Sequence, residues 1–181
     1  MVNLNESIET KIYTYRYTDF TKDIKKIAQW LKGKRDGYTK YDEQPWEPDM
    51  IVSINRGGLV AGVYLSHLLD VPHFPIHYQT RDVSDFGHDK TTWTLPYRPP
   101  GMSHTKNILL VDDINDSGRT FDDIMNHWQS NDLGKGPMKN RIKTVSLIQR
   151  KTSKYTVDFS AVILDNNKWV VFPWDSKLLT E

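Results

Sequence analysis

Residues 109–120 read LLVDDINDSGRT. A continuous apolar run of this kind suits a strand buried on both faces of a parallel sheet. It delivers Asp112, Asp113 and Asp116 into a turn of Ser117, Gly118, Arg119 and Thr120, and a helix is predicted over about 120–129. Backbone N–H groups of a glycine-containing turn at a helix N-terminus form an anion cradle, to which Ser117 and Thr120 add hydroxyl donors. Asp112 and Asp113 are neighbours on an extended chain, so their side chains diverge. Such a pair suits two adjacent hydroxyls, or a hydroxyl and a hydrated Mg²⁺ ion, which takes hard oxygen ligands and keeps waters. Any one of these residues could be an ordinary helix cap. The whole string, on the end of a buried strand, points to phosphate chemistry.

Some fifty residues upstream the pattern occurs again in another form. MIVSI, residues 50–54, is a second short apolar run, and it enters Asn55, Arg56, Gly57 and Gly58 before a helix predicted over 59–69. Two glycines permit close approach of backbone to a ligand, and Arg56 offers a planar fork for phosphate oxygens. Gly57 and Gly62 have the glycine spacing of a P-loop, but Val63 and Tyr64 stand where that motif needs Lys and Ser or Thr.

The remaining elements follow from period and punctuation. Residues 11–17 alternate as an edge strand, and Asp19 is placed to cap a helix over 20–32 whose apolar residues are Phe20, Ile24, Ile27 and Leu31. Further strands are predicted at 73–76, 144–149 and 160–165, with loops at 34–49 and 130–142. Residues 78–106 have no clean period and read as a long excursion, which in a compact domain is usually functional, such as a lid, or disordered. Strands alternating with helices predict an α/β fold with a mostly parallel central sheet flanked by helices, in one domain spanning 1–181. In such sheets ligands bind at the carboxyl ends of the strands, where both unusual loops lie.

Composition narrows the class. The net charge is +1, so no broad field draws the chain to nucleic acid or an anionic membrane. There is no cysteine, which excludes disulfides, thiolate metal sites and a cysteine nucleophile. No stretch approaches transmembrane length and the first residues lack a signal-like apolar core, so a cytoplasmic location is expected. His73 and His77 are four apart, but Pro75 between them breaks the helix a paired metal site would use, and no histidine-bound metal is expected.

LLVDDINDSGRT resembles the motif of the type I phosphoribosyltransferases that binds phosphoribosyl pyrophosphate (PRPP). SINRGGLVAG, residues 53–62, resembles the same family's pyrophosphate loop. NKWVVFPWD, residues 167–175, taken alone would be a strand ended by Pro173. Beside the other two it resembles the base-binding segment of bacterial xanthine-guanine, or 6-oxopurine, phosphoribosyltransferases. The resemblance implies the type I phosphoribosyltransferase fold, with a small hood or lid region that residues 78–106 would supply. It also implies Mg²⁺ as cofactor, PRPP and a purine as substrates, and a homo-oligomer, dimer or tetramer.

Carried over position by position, the resemblance implies a role for each motif residue. Asp112 and Asp113 would bind the ribose hydroxyls directly or through the Mg²⁺ shell. Asp116, Ser117, Gly118, Arg119 and Thr120 would hold the 5′-phosphate. Asp116 would also take the purine N7 proton, and Arg56, Gly57 and Gly58 would face the pyrophosphate. Trp169 would stack on the base and the backbone of Val170 and Val171 would read its edge. The resemblance also places a lysine against the 6-oxo oxygen. Arg150 and Lys151 both stand there, and spacing to Trp169 favours Lys151. Asn55 departs from the family by replacing a small residue, and Arg119 is bulky for a phosphate loop. Arg81, Asp82 and His88 are candidate lid residues. Two other readings remain open: transfer to a different base, and a non-catalytic PRPP-sensing regulator on the same fold.

Overall fold

The computed structural model describes residues 12–33, 46–78, 107–130 and 141–175. Five strands form one sheet in the order β3-β2-β4-β5-β6, every pairing parallel. They are β2 (Met50–Asn55), β3 (His73–His77), β4 (Asn107–Asn115), β5 (Arg141–Arg150) and β6 (Phe159–Leu164). Helices α1 (Tyr17–Leu31), α2 (Gly58–Leu69) and α3 (Arg119–Ser130) flank it. This is the α/β architecture read from the alternation of elements. A separate pair, β1 (Ile12–Thr14) and β7 (Trp169–Val171), runs parallel with Tyr13 opposite Val170.

Strand alternation divides the core. Ile51, Leu109, Val111, Val145 and Leu147 face one side, where Phe20, Ile24, Ile27 and Leu31 of α1 and Ala61 and Leu65 of α2 cover them. Val52, Ile54, Ile108 and Leu110 face the other, under Phe121, Ile124 and Trp128 of α3. β3 is an edge strand, which is where Pro75, lacking a backbone donor, is tolerated.

Several boundaries differ from expectation. The first strand is three residues, not seven, because α1 starts early, at Tyr17. Asp19 lies inside the first turn, and its carboxylate accepts the Arg16 N–H at 2.9 Å. β4 continues through both acids to Asn115, because pairing with β5 continues as far as Gln149. Among the described residues no helix is long and apolar enough to cross a membrane. The expected lid, 78–106, and its candidates Arg81, Asp82 and His88 lie outside the described residues except for Tyr78.

Candidate active site

The carboxyl ends of β2 and β4 open into a cavity of about 600 Å³. Arg56 and Gly57 line one side, Asp116, Ser117, Gly118 and Thr120 another, and Asp112 and Asp113 lie on the wall between them. The two loops are in contact. A Cβ on Gly57 would fall 2.1 Å from Asp113 Oδ2, and one on Gly58 would fall 2.5 Å from the Val111 carbonyl. Only glycine lets the Arg56 loop close onto the acids at these distances. The Asn55–Arg56 peptide bond is cis.

Gly118 has φ +88°, a left-handed conformation that L side chains rarely adopt, and a Cβ there would meet the Tyr155 nitrogen at 2.4 Å. The β5–β6 turn therefore braces the loop of Ser117 and Gly118 from behind: the Lys154 N–H donates to the Ser117 carbonyl at 3.1 Å. Buried Asn115 ties the same turn down, donating to the Tyr155 carbonyl at 2.7 Å and accepting from Ser153 Oγ at 3.1 Å.

Burial, then repulsion from Asp113, pushes the Asp112 carboxyl well above the usual carboxylate range. Asp113 is pushed up to about 6, chiefly by burial, with the Asp175 charge adding to it. The Ile114 N–H and the Trp174 side chain pull the other way. The cavity thus concentrates acid groups that a cation or hydroxyl donors would favour in the ionised form.

A second hollow, about 440 Å³, shares Asp116 and Ser117 with the first and is lined also by Arg150, Lys154, Asn167 and Trp169. Arg150, 8% exposed, donates Nε to Asp116 Oδ1 and its two terminal nitrogens to the Asn166 and Lys168 carbonyls, each at 2.7 Å. Lys151 stands in the turn after β5 with its side chain exposed, and of the two candidates it is Arg150 that lines the hollow. β5 extends to Arg150, which puts that residue, and not the next, at the strand end facing Asp116. Trp169 is 52% exposed on the rim of the hollow, whereas Val170 and Val171 are buried, the Val171 carbonyl accepting the Tyr15 N–H at 2.9 Å.

Trp174 and Asp175 also line the large cavity, and sequence reading assigned them no role. Their signal was available in the quoted PWD, but their nearness to Asp113 is a product of the tertiary fold. The His73 Nε2 pairs with Ser53 Oγ at 2.7 Å, and burial lowers its pKa.

The family model of the phosphoribosyl transferase domain matches residues 17–181. The chain belongs to the phosphoribosyltransferase family. Two curated members similar to this phosphoribosyltransferase are xanthine-guanine phosphoribosyltransferases. That of Cereibacter sphaeroides is 25% identical over 137 residues, covering 71% of this chain and 70% of the relative. That of Vibrio atlanticus is 26% identical over 129 residues, covering 71% and 73%. Among solved structures, the purine phosphoribosyltransferase of Pyrococcus horikoshii superposes with TM-score 0.65 at 25% identity, covering 91% of this chain and 94% of that one. The xanthine-guanine-hypoxanthine phosphoribosyltransferase of Helicobacter pylori shares the fold, with TM-score 0.62 at 23% identity over 93% and 95%. As an enzyme of this family, the phosphoribosyltransferase carries its two glycine-containing loops on one cavity.

Proposed function

We propose that this phosphoribosyltransferase transfers ribose 5-phosphate from PRPP to a ring nitrogen of a 6-oxopurine, releasing pyrophosphate. The observation that carries this reading is the contact of Gly57 with Asp113 across the cavity, which joins a pyrophosphate-type loop to a ribose-phosphate loop in one site. Support for a purine comes from Trp169 beside Asp116 in the adjoining hollow. The relatives named for xanthine, guanine and hypoxanthine point the same way.

The donor set fits Mg²⁺. Two carboxyls whose ionised forms are disfavoured by burial share a polar cavity. Mg²⁺ typically takes one or two carboxylates and fills its shell with water and substrate oxygens. Among the described residues no group of three or more His, Cys, Asp or Glu side chains could hold a metal by itself. Asp112 and Asp113 would hold the ion, which when bound supplies positive charge to the departing pyrophosphate.

The residues divide the work. Arg56 and the Gly57 N–H receive the negative charge that develops as the C1–O bond breaks, while the Gly58 N–H is given to Asp112. The cradle from Asp116 to Thr120 holds the 5′-phosphate and fixes the ribose for displacement. Asp116, with Oδ1 held by Arg150, keeps Oδ2 for the proton leaving the purine ring. Arg150 acts through Asp116 and the 166–168 turn, positioning both.

The test is pyrophosphate release from PRPP and Mg²⁺ with guanine, xanthine, hypoxanthine and adenine supplied singly. Release with 6-oxopurines but not adenine supports the reading. No release with any base, while PRPP still binds, overturns it in favour of a regulator or a different acceptor.

A further inference from the structure

Three buried side-chain polar atoms have no hydrogen-bond partner among the described residues, and one is the indole Nε1 of Trp174. Leaving a donor buried and unpaired costs about 1–3 kcal/mol, so its retention calls for an account. Trp174 is held rigidly. Its ring stacks on Phe172 with centroids 4.9 Å apart and meets Phe20 edge-on at 5.5 Å. The turn carrying it is closed twice: the Asp175 N–H donates to the Phe172 carbonyl at 3.0 Å, and the Phe172 N–H donates to Asp175 Oδ2 at 2.8 Å. Trp174 lines the large cavity, and its N–H lies near enough to the Asp113 carboxyl to favour the ionised form without making a hydrogen bond of normal geometry.

The neighbours limit what can satisfy this donor. A phosphate oxygen could accept from it, but Asp113 and Asp175, both lining the cavity, would repel the anion. A water on a metal ion has its lone pair committed to the metal and serves mainly as a donor. A sugar hydroxyl accepts and donates at once. It can take the indole N–H and give its own proton to the carboxylate.

From this pairing of a fixed N–H with an adjacent carboxylate we infer that Trp174 and Asp113 together bind one ribose hydroxyl of the phosphoribosyl substrate, so that Trp174 is a sugar-reading residue. The inference rests on the phosphoribosyl reading above and extends it. A site built to satisfy a hydroxyl rejects the deoxy analogue, because both of its polar groups are then left unpaired.

The experiment is a cycle of ligand and side-chain changes, read by calorimetric titration. Guanosine 5′-monophosphate and its 2′-deoxy and 3′-deoxy forms are titrated into wild type and Trp174→Phe. The expected result is that the variant binds the ribonucleotide roughly three- to tenfold more weakly. Its discrimination against one deoxy form should shrink by the same factor. Equal discrimination in both proteins overturns the inference. If Trp174→Phe does not fold, β-(3-benzothienyl)alanine at 174 removes the N–H while keeping the ring shape, and the same two outcomes apply. If ribose 5-phosphate binds but the guanine nucleotide does not, the purine assignment fails alone. The cycle is then run with ribose 5-phosphate and 2-deoxyribose 5-phosphate, under the same criteria. If neither binds wild type, the phosphoribosyl reading falls and this inference with it.

Discussion

The Arg150 guanidinium donates through Nε to Asp116 Oδ1 while its terminal nitrogens hold the Asn166 and Lys168 carbonyls. One planar group therefore fixes Asp116 and the turn that presents Trp169. Lysine would keep the charge but cannot span three acceptors with a fixed fork. Arg150→Lys is expected to raise KM for the base about tenfold, the loss of one or two good hydrogen bonds. KM for PRPP should stay within about twofold. Steady-state kinetics with each substrate varied in turn checks this, and a rise confined to PRPP would sink the positioning role.

Asp116 itself is predicted to act on the proton, not to anchor the phosphate alone. Asp116→Asn should lower kcat by about 100-fold or more with a much smaller change in PRPP affinity. Turnover equal to wild type would remove Asp116 from the chemistry.

Gly57 adopts ordinary right-handed backbone angles, φ −61° and ψ −47°, so alanine costs nothing in conformation there. What alanine meets is Asp113 Oδ2 at 2.1 Å. Gly57→Ala should part the two loops and reduce kcat/KM for PRPP by about 100-fold. The overpacking should also cost about 1–3 kcal/mol, a fall of several degrees in melting temperature. Full activity would mean that the loop contact is not needed for substrate geometry.

Asp113 gives the pH dependence. Its folded pKa, about 6, lies above the ordinary value of 3.8, so its stabilising contribution is present at low pH and is lost as pH rises through 6. Asp113→Asn should stabilise the unliganded protein at pH 7.5 by about 1–2 kcal/mol, or roughly 2–6 °C, and by less at pH 5. Thermal melts at the two pH values check the sign. PRPP affinity in the presence of Mg²⁺ should fall as pH drops through 6, and an affinity that rises there would contradict ligation by the ionised acid.

How much of this was legible in the sequence depended on whether a residue's role was local. The apolar runs of β2 and β4 and the loops behind them announce themselves, because burial in a parallel sheet and phosphate binding at a strand end each leave a short contiguous signature. The extent of β4 through Asp112 and Asp113 was hidden, since two acids look like the end of a buried strand until pairing with β5 is seen. The choice between Arg150 and Lys151 depended on where β5 stops, and a shift of one residue turns a side chain to the other face. Trp174 could be seen as an aromatic in a turn. Its approach to Asp113 required Phe20 and Phe172 to assemble first.

The pairing of β1 with β7 builds the strand pair that carries Trp169 from segments near opposite ends of the sequence given. Closing so long a loop adds little to the thermodynamic cost, which grows only logarithmically with length, but it delays that contact relative to the nearer pairings of β2 to β6. On the proposed assignment of the two halves, the one that would hold the sugar phosphate is then expected to mature before the one that would receive the acceptor. Pulse-labelled hydrogen exchange during refolding should protect amides of β4 ahead of those of β7. The reverse order would mean that the two terminal segments nucleate the fold. On this schedule, a molecule caught partway through folding grips the donor before it can select a partner for it.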